Sequence, residues 1–386
     1  MRSIGVVTVA RSDYGIYKSL LDAIQASPDL ELSLYVSGMH LSPDFGLTVE
    51  AIESDGYPIA ARVEMLLSSD TAEGISKSIG VGVMGFAQCF ASRSPDILVV
   101  LGDRFEMFAA AVAALPFTIP IVHIHGGERT EGQIDEAIRH AITKMAHLHF
   151  VAAEEYAHRV VQMGEQPWRV VVSGAPSLDN LRTMEIPGRE ELERLLGIDL
   201  QERFLLVTYH PVTLQPHAVE SQLGELLGAL DEAQVPCLFT YSNADVAGRR
   251  IIREIQKFAS SRSDARVIAN AGLRGYYGLM SAAAAMVGNS SSGLIEAASF
   301  RLPVVNVGDR QRGRIRPPNV LTVGNARDEI VSGIRRALSE EFRQSLANLE
   351  NPYGDGTAAT TISDVLANVE IDNRLIMKEF HDIPSW

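Results

Sequence analysis

The chain has 386 residues, 46% hydrophobic and 21% charged, with 34 Lys and Arg against 48 Asp and Glu for a formal charge of −14. That composition excludes a disordered chain, and the acidic balance argues against a nucleic-acid partner, because such binding rests on clustered Lys and Arg. The length suits two domains, since single cores rarely grow past roughly 250–300 residues, and no apolar run approaches the roughly 18 residues of a membrane span.

The N-terminal stretch MRSIGVVTVARSDYG has an apolar part at the lower limit for a signal peptide and lacks a small-residue cleavage site. Cys89 and Cys237 stand far apart with no metal-type spacing, which points to a reducing compartment. The expectation is a soluble, cytoplasmic protein.

Short β-branched runs then alternate with helical patterns, the mark of an α/β chain with parallel sheets. The first is IGVVTVA, with Arg11 and Asp13 just beyond it. A helix over Tyr17–Ala26 places Leu20, Leu21 and Ile24 on one side. LELSLYVSG is the next strand. Gly80, Gly82 and Gly85 then match G-x-G-x-x-G, but the motif lies inside a helical stretch rather than after a strand. Close helix packing accounts for it better than a dinucleotide.

DILVVLGD ends in Asp103, and Arg104 follows it. A carboxylate at the carboxyl end of a buried strand is suited to act as a base or a hydroxyl acceptor; a cap on the following helix is the plainer reading. IPIVHIHGG puts His123 and His125 on one face of a strand. Its loop carries Glu128, and Thr130 with Gln133 resembles a capping box for a helix from about Ile134. Asp135 stands in that helix's first turn, where the dipole favours its ionised form, and Arg139 lies four residues on. Zinc would need a fuller set of ligands than His123 and His125 at a recognised spacing, so no metal is expected. His147 and His149 fall to the scaffold. LHFVAA and RVVVSG close the first half.

Pro176, Pro187, Gly188 and a charged amphipathic segment mark a linker near residues 176–202. The alternation restarts with FLLVTYHP, which puts His210 at a strand end, followed by PCLFTY and ARVIAN. AMVGNSSSG places Ser290 to Ser292 at a helix start, where amides and hydroxyls suit an anion, with Glu296 one turn in, suited to a ribose. LPVVNVGD is followed by Arg310, Arg312, Arg314 and Arg316, a local positive field suited to a pyrophosphate. After NVLTVGN a last helix, Thr357–Val369, is able to pack back on the first domain. The domains read as 1–178, 200–356 and a C-terminal 357–386, and two such α/β halves facing each other would leave a cleft.

Taken in order, LGDR, GGE with IDEAIRHAITK, TYHP, GNSSSG with its Glu, and VNVGDRQRGR make the chain resemble the hydrolysing UDP-N-acetylglucosamine 2-epimerases of sialic-acid biosynthesis. The resemblance implies two Rossmann-like domains of the glycosyltransferase-B type with a UDP-sugar in the cleft. It implies conversion of UDP-N-acetylglucosamine and water to N-acetylmannosamine and UDP, by loss of the C2 proton with UDP and hydration of the resulting glycal. No cofactor is implied. By motif, Asp103 and Asp135 match catalytic carboxylates. Arg11, His40, Arg104, His210, Ser290, Ser291, Glu296 and Arg310 match residues holding the nucleotide sugar, and Gly272 looks like part of the uracil pocket. Dimers or tetramers are implied too.

One position departs. Many members read H-x-E-G-G where this chain has His123-Ile124-His125-Gly126-Gly127. Either His125 acts as the acid–base group or Glu128 takes the role. The swap also brings in a second substrate, since related enzymes act on UDP- or GDP-linked N,N′-diacetylbacillosamine for legionaminic-acid precursors. Three rival functions stand beside these: a non-hydrolysing UDP-N-acetylglucosamine 2-epimerase, a glycosyltransferase of the same fold and a nucleotide-sugar sensor. The non-hydrolysing enzymes read H-x-E-A-G-L-R after the same strand.

Overall fold

The computed structural model describes residues 1–69, 71–130, 134–210, 218–241, 248–269 and 271–383. Two all-parallel sheets organise them. The first has seven strands: β1 (Arg2–Thr8), β2 (Leu30–Ser37), β3 (Ile59–Val63), β4 (Ile97–Leu101), β5 (Ile121–Ile124), β6 (Leu148–Val151) and β7 (Val170–Val172), ordered β3-β2-β1-β4-β5-β6-β7. The second has six: β8 (Leu205–Thr208), β9 (Cys237–Thr240), β10 (Ala265–Ile268), β11 (Ala285–Gly288), β12 (Val304–Val307) and β13 (Val320–Val323), ordered β10-β9-β8-β11-β12-β13.

Both orders reverse direction once, between β1 and β4 and between β8 and β11. In open α/β sheets ligands bind outside the carboxyl ends of strands at such reversals, and the candidate residues cluster there. Central strands β1, β4 and β5 are buried along nearly their whole length, as expected where helices cover both faces. β3 is a strand that hydropathy did not announce. It lies at a sheet edge with Ala60 and Arg62 exposed, so its run is short and interrupted.

Helix Arg11–Ala26 buries Leu20, Leu21 and Ile24 completely. The G-x-G-x-x-G stretch lies within helix Ala72–Ser92. A Cβ on Gly82 would press on Met65 at 2.6 Å, and one on Gly85 on Val63 at 2.6 Å. These glycines serve close packing.

The contacts divide into two compact units, one of Met1–Glu128, Asp135–Asn180 and Tyr353–Trp386, the other of Arg129–Ile134 and Leu181–Pro352. Much of the stretch read as a linker is folded. Helix Arg189–Leu196 buries Leu192 with Leu200 against Phe204, Leu206 and Met280. Helix Ala358–Asn368 belongs to the first unit: Ile362 and Leu366 enter its core, and the Asp179 carboxylate accepts from the amides of Ala358 and Ala359 at 3.1 and 2.7 Å. Among the described residues no helix is long and apolar enough to cross a membrane.

Candidate active site

The first unit's site is built on the residues just beyond β4 and β5. After β4 the chain turns through Gly102, at φ +73°, to Asp103 and Arg104. The helix Phe105–Ala114 begins there with no side-chain cap, so capping does not account for Asp103. Its carboxylate is instead ion-paired with Arg139. The guanidinium of Arg139 is 1% exposed; it also donates to the Glu128 carbonyl at 3.1 Å and to Glu136 at 3.4 Å. Arg139 therefore ties the β4 edge, the β5 loop and its own helix, Ile134–Met145, to one point. The sequence marked its spacing from Asp135 but not this role, which only the approach of three elements creates.

After β5 the backbone of His125 is left-handed, at φ +64°, and its amide donates to Phe150 O at 3.0 Å. Its Nδ1 meets Glu128 Oε1 at 2.6 Å. His125 and Glu128, two candidates for one acid–base role in the sequence, thus form one pair, with the carboxylate orienting the imidazole. Nε2 of His125 makes no hydrogen bond among the described residues. A histidine so held presents Nε2 as the atom that can take or give a proton, because the carboxylate at Nδ1 fixes the tautomer and orients the ring. Asp135 sits half-buried in the first turn of helix Ile134–Met145. Gln133, the expected far partner in the capping box, lies outside the described residues.

His123 plays a different part from His125. Its Nε2 meets the Gly102 carbonyl at 2.8 Å and its Nδ1 meets Thr143 Oγ1 at 3.1 Å. Since a carbonyl only accepts, Nε2 carries the proton and Nδ1 accepts from threonine. Burial holds its pKa down at about 3, and the neutral ring braces the turn that presents Asp103. Among the described residues no three His, Cys, Asp or Glu side chains converge as a metal site requires. His147 accepts from the Ile121 amide and His149 meets Glu165, so both sit in the scaffold.

Beyond β1 and β2 lies a second buried network. Asp13 accepts from Thr8 Oγ1 at 2.7 Å and from the amides of Val9 and Ala10 at 2.9 and 2.7 Å. Thr8 meets His40 Nε2 at 3.0 Å, and His40 Nδ1 meets Thr48 Oγ1 at 2.7 Å. Burial raises the Asp13 pKa to about 6, against its hydrogen bonds, and lowers that of His40 to about 4. Arg104 grips the buried carboxylate of Glu106 through Nε and an Nη at 3.3 and 3.1 Å; Glu106 was not foreseen. Arg11 is exposed.

The second unit repeats the plan after β8 and β11. Gly288 takes φ +137°, where a Cβ would strike Thr208 O. Asn289 Oδ1 accepts from the His210 amide at 2.7 Å, and its Nδ2 donates to the His210 carbonyl at 2.9 Å. Arg310 and Gln311 both donate to the Asn289 carbonyl, at 3.1 and 2.8 Å. Asn289 is thus the hub that sequence reasoning passed over between Gly288 and Ser290. Burial and Arg310 keep His210 neutral.

The expected helix-end anion pocket needs correction. The helix spans only Ser292–Ile295 and Glu296 is its C-cap, followed by a 3-10 turn. Four residues add little macrodipole, and the amides of Gly293 and Leu294 already donate to Ser290 O and Ser291 O. Any anion binding there must come from the serine hydroxyls, remaining amides and Arg310. Tyr276, also unforeseen, brings its hydroxyl to Thr208, Ser290 and Ser292, near Glu296. Gly272 begins that tyrosine's helix at φ +63°. Arg312 and Arg316 are exposed.

Residues 22–367 match the UDP-N-acetylglucosamine 2-epimerase family. The chain is 36% identical over 378 residues to the UDP-N,N′-diacetylbacillosamine 2-epimerase (hydrolyzing) of Legionella pneumophila, covering 98% of this chain and 99% of that one. It is 37% identical to the GDP/UDP-N,N′-diacetylbacillosamine 2-epimerase (hydrolyzing) of Campylobacter jejuni, covering 99% of each. This chain belongs to the hydrolysing UDP-N-acetylglucosamine 2-epimerase family. A family member named UDP-N-acetylglucosamine 2-epimerase, from Neisseria meningitidis serogroup B, is 32% identical over 99% of this chain and 100% of its own. Among solved structures, the UDP-GlcNAc 2-epimerase of Neisseria meningitidis bound to UDP-GlcNAc superposes with a TM-score of 0.81 at 19% identity, covering 95% and 99%. The fold is therefore the epimerase fold, with two Rossmann-like units of the glycosyltransferase-B type.

Proposed function

We propose that this protein, a hydrolysing 2-epimerase, acts on a nucleoside-diphosphate-linked N,N′-diacetylbacillosamine. Water is consumed, and the free sugar leaves with inverted configuration at C2. A base removes the C2 proton, the C1–C2 double bond forms, and the C1–O bond breaks with its electrons passing to the nucleoside diphosphate. Water then adds at C1 while a proton is delivered to the opposite face of C2. Two acid–base groups are needed, one for each face. His125, oriented by Glu128, is assigned one face and Asp135 the other. Asp103, anchored by Arg139, orients the sugar between them. Arg104, Arg11 and the loop held by His40 bind around the sugar and diphosphate. Ser290, Ser291 and Arg310 are assigned to the diphosphate, Glu296 to the ribose, and Gly272 and His210 to the nucleoside end.

What carries this reading is the His125–Glu128 hydrogen bond, made by a histidine that stands where many members have a glutamate. It stands in a chain whose similarity to two enzymes named for diacetylbacillosamine runs over 98% and 99% of its length. N-acetylglucosamine on UDP is the second reading, supported by the 32% identical Neisseria meningitidis relative.

A proton NMR time course in D₂O tests both the reaction and the sugar. With UDP- and GDP-linked diacetylbacillosamine and with UDP-N-acetylglucosamine in parallel, the expected result is free sugar deuterated at C2, formed fastest from the bacillosamine. Turnover of UDP-N-acetylglucosamine alone would overturn the substrate assignment. An epimerised sugar still bound to its nucleotide, or binding without turnover, would overturn hydrolysis.

A further inference from the structure

Outside the site, the described residues hold one other dense buried charge cluster in the first unit, and it has no part in the chemistry of epimerisation. Its centre is Glu165, fully buried, between the helix Glu154–Gln162 and β7. Glu165 Oε1 accepts from Lys144 at 2.6 Å, and Oε2 accepts from Lys378 at 2.7 Å and lies 3.0 Å from His149 Nε2. Lys378 also donates to the carbonyls of Lys144 and Ala146, at 2.9 and 2.6 Å. These carbonyls lie at the C-terminal end of helix Ile134–Met145, where the last turn leaves acceptors unmatched and the dipole favours a cation.

The residues around Lys378 lie along the same helix end. Arg169, 1% exposed, donates to the carbonyls of His147 and Leu375 at 3.1 and 2.8 Å and to that of Arg374. Arg169 and Arg374 both stack on the Trp168 ring, at 4.2 and 4.4 Å from its centroid. The His381 amide donates to Gly164 O at 2.9 Å. Gly164 takes φ +87°, and a Cβ there would overlap the Phe380 ring. Lys144 lies 5.2 Å from the centroid of that ring. Residues 374–381 thus form a strap, held by side chains on both sides of the helix end, across the last turn of the helix that carries Asp135 and Arg139.

We propose that Lys378 is a positioning residue for the acid–base helix, its strap fixing the pose of Asp135 and Arg139 from the opposite end. This rests on the proposed function. The helix has 12 residues, so it is roughly 18 Å long. A tilt of about 5° about its held end would move the first turn by about 1.5 Å, and misplacements of about 1 Å at reacting groups can cost on the order of a hundredfold in rate. Arg139 pins the middle of the helix, and Lys378 adds a hold at its C-terminal end. Glu165, itself buried, supplies a fixed counter-charge for the half-buried lysine at that place.

The test uses the full chain with Lys378→Met and Lys378→Arg. Turnover is followed by release of the nucleoside diphosphate, and amide exchange of residues 134–146 is followed by mass spectrometry. In Lys378→Met the expected result is a kcat at least tenfold lower with KM within about twofold, and exchange of that helix at least tenfold faster. Lys378→Arg, which keeps the charge and donors, restores most of both. Phe380→Ala leaves every buried charge in place and loosens the strap's outer hold; it should raise the helix's exchange and lower kcat less, and it decides the matter if Lys378→Met does not fold. Unchanged kcat and unchanged exchange in the folded variant would overturn the proposal, and so would an equal fall spread over the whole chain with KM. Should the wild-type chain turn over no nucleotide sugar, the proposed function fails, while the exchange measurement still decides whether the strap holds the helix.

Discussion

At position 125 a histidine accepts a left-handed backbone, at φ +64°, which costs roughly 1–2 kcal/mol for a residue with a Cβ. The local bonds hold it there. The amide is tied to β6 through Phe150, and the ring to Glu128. Arg139 is the residue on which the neighbouring geometry converges, because its planar fork reaches Asp103, the Glu128 carbonyl and Glu136 together. Lysine carries its three donors on a single nitrogen and has no planar fork, so it cannot span these separated partners in the same geometry. Arg139→Lys should therefore lower kcat by at least tenfold and leave nucleoside-diphosphate affinity within about twofold, since Asp103 and Glu128, which it holds, are assigned to the sugar and not to the nucleotide. Steady-state kinetics with calorimetric titration of the nucleotide checks this. An unaltered kcat would mean that Asp103 and Glu128 hold their places without the fork.

At the scale of the element, the loop from β5 to helix Ile134–Met145 depends on its glycine more than the turn after β4 depends on its own. Gly102 and Gly127 both take positive φ, +73° and +74°. A Cβ on Gly102 meets nothing within 4 Å, whereas one on Gly127 would run into the Tyr156 carbonyl and Val160. Gly102→Ala should therefore cost only the left-handed penalty, about 1–2 kcal/mol. Gly127→Ala adds the clash and should cost at least about 3 kcal/mol. Urea unfolding of the two variants compares them directly, and equal costs would show that the loop yields. This loop also shows what a sequence can and cannot display. Asp103, His125 and Glu128 were readable because a buried strand ending in Gly, Asp or His sends its next residues to the sheet's carboxyl edge. Strand β3 was not, because at the edge of a sheet Ala60 and Arg62 need no burial. Nor were Arg139, Asn289, Glu106 and Tyr276, whose roles depend on partners 2 to 79 residues away along the chain. The serine helix was overestimated for a related reason. Its start is written in the residues, but its length is set by a break at Glu296 that no periodicity marks.

Over the whole molecule, the buried histidines give an acid dependence whose sign follows from their pKa values. His123 is lowered from 6.5 to about 3, and His40 and His147 to about 4, all by burial. His149 and His210 are lowered in the same way. A base whose folded pKa lies below its unfolded value is favoured neutral in the fold. Its contribution is complete above the unfolded value, 6.5, and is lost as pH falls toward the folded one. At about pH 5.5 each of the first three gives up on the order of 1.5 kcal/mol relative to about pH 7.5. Asp13 opposes them. Burial raises its pKa from 3.8 to about 6, so its unfavourable share shrinks as pH drops through 6, returning on the order of 1 kcal/mol over the same interval. Glu165 does not enter, since burial would raise it but His149, Lys144 and Lys378 hold it at about 2, so its contribution is lost only below its unfolded value of 4.5. Three histidines outweigh one aspartate, and urea midpoints should fall between about pH 7.5 and about pH 5.5. If the two units unfold separately, the first, which holds His40, His123, His147 and His149, should lose more than the second, which holds His210. A midpoint that stays level or rises would mean that these rings accept protons in the folded chain, and the neutral His123 brace beneath Asp103 would then be wrong.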